Sequence, residues 1–171
     1  MVQKTLKLIT DAMLGKLTTF LRLFGYDTIY ANDLEEIYNI EPVPDNLIGK
    51  YGEETNRIII TKDYPFYRKI PERGIYLEGE GVYNFLKQLK LELGLKYDLS
   101  MKKARCSACN SKLRIVTNKN DIKDKLNDST FTSYDIFYQC TNSECQKIFW
   151  NGPHIKDIKK RLKNHFKSKE K

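Results

Sequence analysis

The sequence predicts an α/β fold in which a mostly parallel sheet is flanked by helices and is followed by a small cysteine-containing module and a C-terminal basic helix. Three observations predict it. Apolar runs alternate with helical patterns through the first half, two cysteine pairs follow, and a lysine-rich amphipathic stretch comes last. We therefore divide the chain into a domain at 1–95, a basic linker at 96–105 and a second module at 106–171.

The first half shows strands separated by helices. Residues 6–10 form an apolar strand, after which apolar side chains recur at helical spacing until Gly25, where a left-handed helix end is expected. Pro42 and Pro44 interrupt the chain, and Asp45 stands where it would cap the next helix. Because helices separate the strands, the sheet should be mostly parallel. The further elements are strands at 26–30, 57–61 and 74–77 and a helix from Val82 to Gly94.

The second half is more polar. Residues 96–105 are typical of a linker, the insert 118–129 is predicted to be a loop, and residues 131–139 resemble a strand. In the last segment one helical stripe is apolar and lysines crowd the remaining surface, which predicts an amphipathic basic helix. The stripe consists of Ile155, Ile158, Leu162 and Phe166.

Charge is divided unevenly between the halves. The formal net charge is +8, yet residues 1–95 hold 12 Lys and Arg against 14 Asp and Glu, whereas residues 96–171 hold 18 against 8. Such a positive field attracts polyanions, so nucleic acid is the expected partner; a solubilising lysine-rich surface is the alternative. No segment has the apolar core of a signal peptide or the roughly 20 apolar residues of a bilayer span, so we expect a soluble, cytoplasmic protein.

The cysteines form two closely spaced pairs, Cys106 with Cys109 and Cys140 with Cys145, separated by 30 residues. Each pair could bind from one turn while the intervening chain returns, which suits a tetrahedral zinc ion; buried thiols or disulfides are the alternatives. Four sulfur ligands leave no open position for substrate. We therefore expect structural rather than catalytic zinc, which contributes to folding of the module.

Four aspartates stand where strands end or helices begin, and these are Asp11, Asp33, Asp45 and Asp63. Clustered carboxylates bind Mg²⁺ or Mn²⁺, and paired ions can activate water for phosphodiester hydrolysis. Each acid also has an ordinary alternative as a helix cap, a turn residue or a solvated loop residue. Lys16 and Lys62 lie near these acids in sequence and could hold a phosphate, or could be solvated surface lysines.

These residues resemble a known family. The segment from Asp11 through Met13-Leu14-Gly15-Lys16-Leu17 to Gly25-Tyr26-Asp27 resembles the opening motif of the Mut-seven C-terminal RNase family, a branch of the PIN-like nucleases. Asp45-Asn46-Leu47-Ile48, Thr61-Lys62-Asp63, the first cysteine pair and the segment 149–154 resemble its later motifs in the same order. Three features depart from the family pattern: a wider second cysteine pair, Lys62 in place of arginine, and the segment Gly49-Lys50-Tyr51.

The resemblance implies a PIN-like domain, a zinc ribbon and metal-dependent ribonuclease activity. Asp11, Asp45 and Asp63 fall on the family's acidic positions, with Asp33 as a further candidate and Lys16 offsetting charge in the transition state. RNA is the expected partner, and a homodimer or a ribosome-associated partner stays open. The expected cofactors are structural zinc and catalytic Mg²⁺ or Mn²⁺. Candidate RNA contacts are Lys16, Lys62, Arg105, His154, Lys159 and Lys160.

Two rival functions remain at this point. The first is a non-catalytic RNA-binding or ribosome-assembly factor that keeps the fold. The second is a zinc-ribbon module for protein or DNA contacts, in which the acids serve as caps. His154 could equally be a packing residue, and Phe149, Trp150 and Tyr138 could stack on bases or form the core of the ribbon.

Overall fold

A computed structural model describes residues 6–167 of the 171-residue chain. The chain divides into two compact units: residues 1–22 with 26–97, and residues 23–25 with 98–171. No helix within the described part of the chain is both long and apolar enough to cross a membrane. The two compact units are, in that order, the first and the second unit.

The first unit is built on a four-stranded parallel sheet, as the sequence predicts. Its strands are β1 (Lys7–Thr10), β2 (Asp27–Tyr30), β3 (Ile58–Thr61) and β4 (Gly74–Tyr76), in the order β2-β1-β3-β4. Leu8 lies opposite both Thr28 and Ile58, so β1 is hydrogen-bonded on both sides. All strands run in one direction, and their carboxyl ends therefore share one edge.

Helices connect these strands and cover the sheet. They are α1 (Gly15–Leu23), α2 (Asp33–Tyr38), α3 (Asp45–Glu54), α4 (Tyr64–Lys69) and α5 (Val82–Leu93). Leu8, Ile9, Ile59 and Ile60 of the two central strands are fully buried, which explains the continuous apolar runs. α5 ends at Gly94, whose φ of +66° is a left-handed conformation that glycine adopts without strain.

Helix α3 corrects the prediction that Asp45 caps it. Pro44, with an extended backbone, holds the cap position, and Asp45 is the first helical residue. A proline fits here because its missing N–H is not needed before the first turn. The Asp45 side chain is therefore not the capping group, and it lies at the positive end of the helix dipole.

The second unit carries a three-stranded antiparallel sheet in the order β5-β6-β7, formed by β5 (Leu113–Ile115), β6 (Tyr138–Cys140) and β7 (Ile148–Phe149). The long helix α7 (Pro153–Lys167) buries Ile155, Ile158 and Leu162. Its buried stripe is the predicted one, with Phe166 only half-buried.

Two predictions for the insert of this unit are wrong. Residues 119–125 form a 3-10 helix and α6 covers Asp128–Ser133, where a loop and the start of a strand were expected. Asparagine side chains begin both helices: Asn118 accepts from Asn120 N–H, and Asn127 accepts from Thr130 N–H at 2.7 Å. Such caps stabilise short helices that propensity alone does not predict.

Candidate active site and zinc site

The carboxyl ends of β1 and β3 bring two aspartates to the same edge of the sheet. Asp11 directly follows β1, and Asp63 lies two residues beyond β3. Together with Asp45 at the start of α3 they line one cavity of about 210 Å³. The crevice at the carboxyl ends of parallel strands is where open α/β sheets place ligands.

Asp11 is held by hydrogen bonds at both carboxylate oxygens. Its Oδ1 accepts the Met13 N–H at 2.8 Å, and its Oδ2 accepts the Thr61 hydroxyl at 2.5 Å. The Asp11 backbone N–H donates to the Ile60 carbonyl at 3.0 Å, and the residue is only 8% exposed. These bonds fix the carboxylate in one orientation at the cavity wall.

Thr61 links Asp11 to Asp63. Its fully buried hydroxyl donates to Asp11 and accepts the Asp63 backbone N–H at 2.9 Å. Asp63 in turn caps α4, because its Oδ1 accepts the Phe66 N–H at 2.9 Å. One threonine is thus bonded to the side chain of Asp11 and to the backbone of Asp63. In the sequence Thr61 belongs to the Thr61-Lys62-Asp63 motif, but no local pattern indicates a role of its own.

A fourth carboxylate, Glu35 of α2, also lines this cavity. Glu35 was not predicted from the sequence, because residues 34–40 follow neither a clear helical nor a clear strand pattern. The proposed neighbour Asp33 lies elsewhere: it pairs with the buried Arg22 at 2.5 Å and accepts the Tyr30 N–H at 2.9 Å. Its carboxylate therefore joins α1, β2 and α2, and it is not among the described residues that line the cavity.

The acids repel one another. Burial, followed by the negative charge of Asp63, raises the pKa of Asp45, and Asp11 adds to this while Lys69 opposes it. Burial and then the charges of Asp11, Asp33 and Glu35 also raise the pKa of Tyr30. A bound cation would relieve this repulsion.

The lysines proposed from the sequence do not line the cavity formed by the described residues. Lys16 is exposed on α1. The Lys62 ammonium forms an ion pair with Glu80 and lies 5.5 Å from the centre of the Phe85 ring. Any contact between Lys62 and a phosphate would have to replace this ion pair.

The carboxylate set suits a hydrated divalent ion. Asp11, Asp45, Asp63 and Glu35 offer hard oxygen ligands, as Mg²⁺ and Mn²⁺ prefer. Across residues 6–167, only the four cysteines bring three or more ligand atoms within 4.8 Å of one another. No three carboxylates of the described residues meet this criterion, so an ion in this cavity would have to keep several of its own waters.

The four cysteine sulfurs meet in one cluster in the second unit and could hold zinc. The Cys106 and Cys145 sulfurs lie 3.7 Å apart, and those of Cys109 and Cys140 lie 3.4 Å apart. A tetrahedron with Zn–S bonds of about 2.3 Å requires sulfurs roughly 3.8 Å apart, close to these distances. The wider second pair still turns tightly, because the Cys145 and Gln146 N–H groups both donate to the Asn142 carbonyl.

The remaining candidate residues belong to the second unit. Arg105 is half-buried beside the first cysteine pair and donates to the Asn110 carbonyl at 2.9 Å, which supports that turn. His154 is exposed in the first turn of α7, and Lys159 and Lys160 are exposed further along it. The exposed residues are accessible to a polyanion, whereas Arg105 already has a structural contact.

The protein is of the α/β class, with an acidic cavity at the carboxyl ends of a parallel sheet and, in the same chain, four clustered cysteines that could hold zinc. The family model described as "Mut7-C RNAse domain" matches residues 6–162. The chain therefore belongs to the Mut7-C RNAse domain family. No curated protein and no solved structure gives a significant match.

Proposed function

We propose that this protein is a Mg²⁺- or Mn²⁺-dependent ribonuclease that hydrolyses RNA phosphodiester bonds. The observation that carries the proposal is the meeting of Asp11, Asp45, Asp63 and Glu35 in one cavity. Family membership supports a nuclease, and the concentration of basic residues in 96–171 supports a polyanionic substrate.

Each acid has a part in this proposal. Asp11, fixed by Met13 and Thr61, supplies a pre-oriented carboxylate, and Asp63 is positioned by its cap of α4. Asp45 and Glu35 supply further oxygens from two helices. A divalent ion held there would offset phosphate charge and would lower the pKa of water, so that hydroxide is available as the nucleophile near neutral pH. Pre-orientation matters because the carboxylates need not reorganise when substrate arrives.

In this proposal the second unit contributes affinity for RNA. Lysines crowd the exposed face of α7, and neutralising phosphates with them would release counterions. Zinc at the four cysteines would be structural, because no ligand position remains for substrate.

The test is cleavage of labelled single-stranded RNA with Mn²⁺. Asp11→Asn, Asp45→Asn and Asp63→Asn should each lower the rate at least about 100-fold, as loss of a metal-holding or charge-stabilising group does. Glu35→Gln should lower it less, roughly ten-fold, because Glu35 lines the cavity but does not fall on one of the family's three acidic positions.

The matched control is Glu36→Gln, which removes the same charge from an exposed neighbour in α2 and should leave the rate unchanged. Equal rates for wild type and Asp11→Asn would reject the site. Tight RNA binding without any metal-dependent cleavage would instead favour the non-catalytic RNA-binding function.

A further inference from the structure

A second and larger cavity adjoins the acidic one in the first unit. Its volume is about 660 Å³, and it forms a groove between α3, α4 and the turn that follows α4. Asp45 and Phe66 line both cavities. The groove therefore begins at the carboxylates and extends away from them along α3.

Cations stand along this groove. Lys69 and Arg73 lie on the α4 side and Lys50 lies on the α3 side, with Glu53 and Glu72 as exposed acids among them. Arg73 is only loosely held, by a 3.3 Å bond from its Nη1 to the Asn56 side chain. Lysine and arginine on the wall of a groove are the residues that contact phosphates in nucleic-acid complexes.

On α3 the groove is lined by Gly49, and no closely packed neighbour requires a glycine at this position. A Cβ on Gly49 would meet only the Ile70 side chain, at an ordinary 3.7 Å. Gly52, one turn later, is different, because a Cβ there would approach Ile59 Cδ1 to 2.8 Å. Glycine inside a helix lowers stability relative to alanine, and at Gly49 no close neighbour requires it. Because Gly49 lines the groove, a larger side chain at this position would take up part of its volume.

We propose that this groove seats the sugar-phosphate backbone of single-stranded RNA next to the cleaved linkage, with Lys69 and Arg73 contacting phosphates. The inference rests on the proposed function and names the path of its substrate. A linear polymer whose reacting phosphate lies among the carboxylates must continue in at least one direction. The groove is open, shares a wall with that site and carries cations on the α4 side.

The experiment measures RNA binding and cleavage separately in the full chain. Binding of a labelled unstructured RNA is followed by fluorescence anisotropy with Ca²⁺, and cleavage is followed with Mn²⁺. Lys69→Gln and Arg73→Gln should each raise Kd and KM roughly three- to ten-fold and reduce the slope of log K against log salt by about one. The matched control is Lys7→Gln, which removes an exposed lysine at the opposite end of the sheet's strands. It should leave Kd, KM and the salt slope unchanged.

A third variant fills the groove without removing charge. Gly49→Leu should weaken RNA binding while the thermal midpoint stays equal or rises, because leucine is the better helix former. Gly49→Ala, the smaller change, should raise the midpoint and weaken binding less.

The outcomes separate the two proposals. Cleavage with unchanged Kd and KM in Lys69→Gln, Arg73→Gln and Gly49→Leu overturns the groove and leaves the ribonuclease intact. Weaker binding in these variants, in a protein that cleaves no RNA, supports the groove and rejects the ribonuclease. Equal weakening by Lys7→Gln also overturns the groove, because the effect would then be general surface charge.

Discussion

Replacing Thr61 by valine tests whether one hydroxyl holds the acidic site together. Valine keeps the shape and the β-branch, so the buried volume changes little. The hydroxyl donates to the Asp11 carboxylate and accepts the Asp63 N–H, and both bonds disappear. Asp11 is 8% exposed, so water replaces the lost donor poorly.

The magnitude follows from these two bonds. A hydrogen bond to a charged acceptor contributes roughly 1.5 to 3 kcal/mol, and an N–H left without its acceptor costs about 1 to 3 kcal/mol. We therefore expect Thr61→Val to lower the free energy of unfolding by roughly 3 to 5 kcal/mol. For a chain of this size that corresponds to a fall of roughly 10 °C in the thermal midpoint.

The assay is urea unfolding followed by circular dichroism, with Thr28→Val as the matched control. Thr28 is also a fully buried strand threonine, and its hydroxyl donates to the neutral Tyr26 carbonyl at 3.1 Å. That control should lose about 1 kcal/mol, and Thr61→Ser should recover most of the loss at Thr61. Equal losses for Thr61→Val and Thr28→Val would refute the reasoning, because the link to Asp11 would then contribute nothing special.

Three further predictions concern charge and metal. The pKa of Asp45 is raised in the folded protein, so the ionised carboxylate disfavours the folded state. Asp45→Asn should therefore raise the thermal midpoint of the metal-free protein at pH 7, and the gain should vanish as the pH falls through the pKa of Asp45. Scanning calorimetry at several pH values measures this. Asp33→Asn should leave the buried Arg22 side chain without its carboxylate. Because Asp33 itself is 34% exposed, the loss should be that of one charged hydrogen bond, about 2 kcal/mol in urea unfolding, with cleavage by the folded fraction retained. If cleavage is lost while the fold persists, Asp33 acts in the site. Zinc removal by a strong chelator should unfold the second unit, and Cys140→Ser should reproduce this in circular dichroism; unchanged spectra would contradict a structural zinc.

Much of the first unit follows from local pattern. The apolar runs of β1 and β3 and the amphipathic spacing of α1 and α5 identify the elements, and parallel strands imply that Asp11 and Asp63 share an edge. The shared edge of Asp11 and Asp63 was therefore predictable from the pattern, whereas Asp45 joined them through the family resemblance. The hydrogen bonds of these acids were not predictable, because hydrogen-bond partners 50 residues apart, such as Asp11 and Thr61, leave no periodic signal.

Glu35 and Asp33 show the limit most clearly. Both are acids two residues apart in one short helix, and composition cannot distinguish them. Their tertiary surroundings distinguish them: Asp33 forms an ion pair with Arg22, whereas Glu35 lines the cavity. The prediction for the insert of the second unit is wrong for a different, local reason: capping by Asn118 and Asn127 outweighs weak intrinsic helix propensities.

The sequence by itself determined the alternation of strands and helices, the cysteine pairs, the uneven charge and the family resemblance, because each is written in local spacing or composition. Only the tertiary structure decided which carboxylates share a cavity, that Thr61 joins two of them and that a groove continues from Asp45 past Gly49. Those features depend on distances between segments far apart in the chain. Packing fixes such distances, and no single segment encodes them.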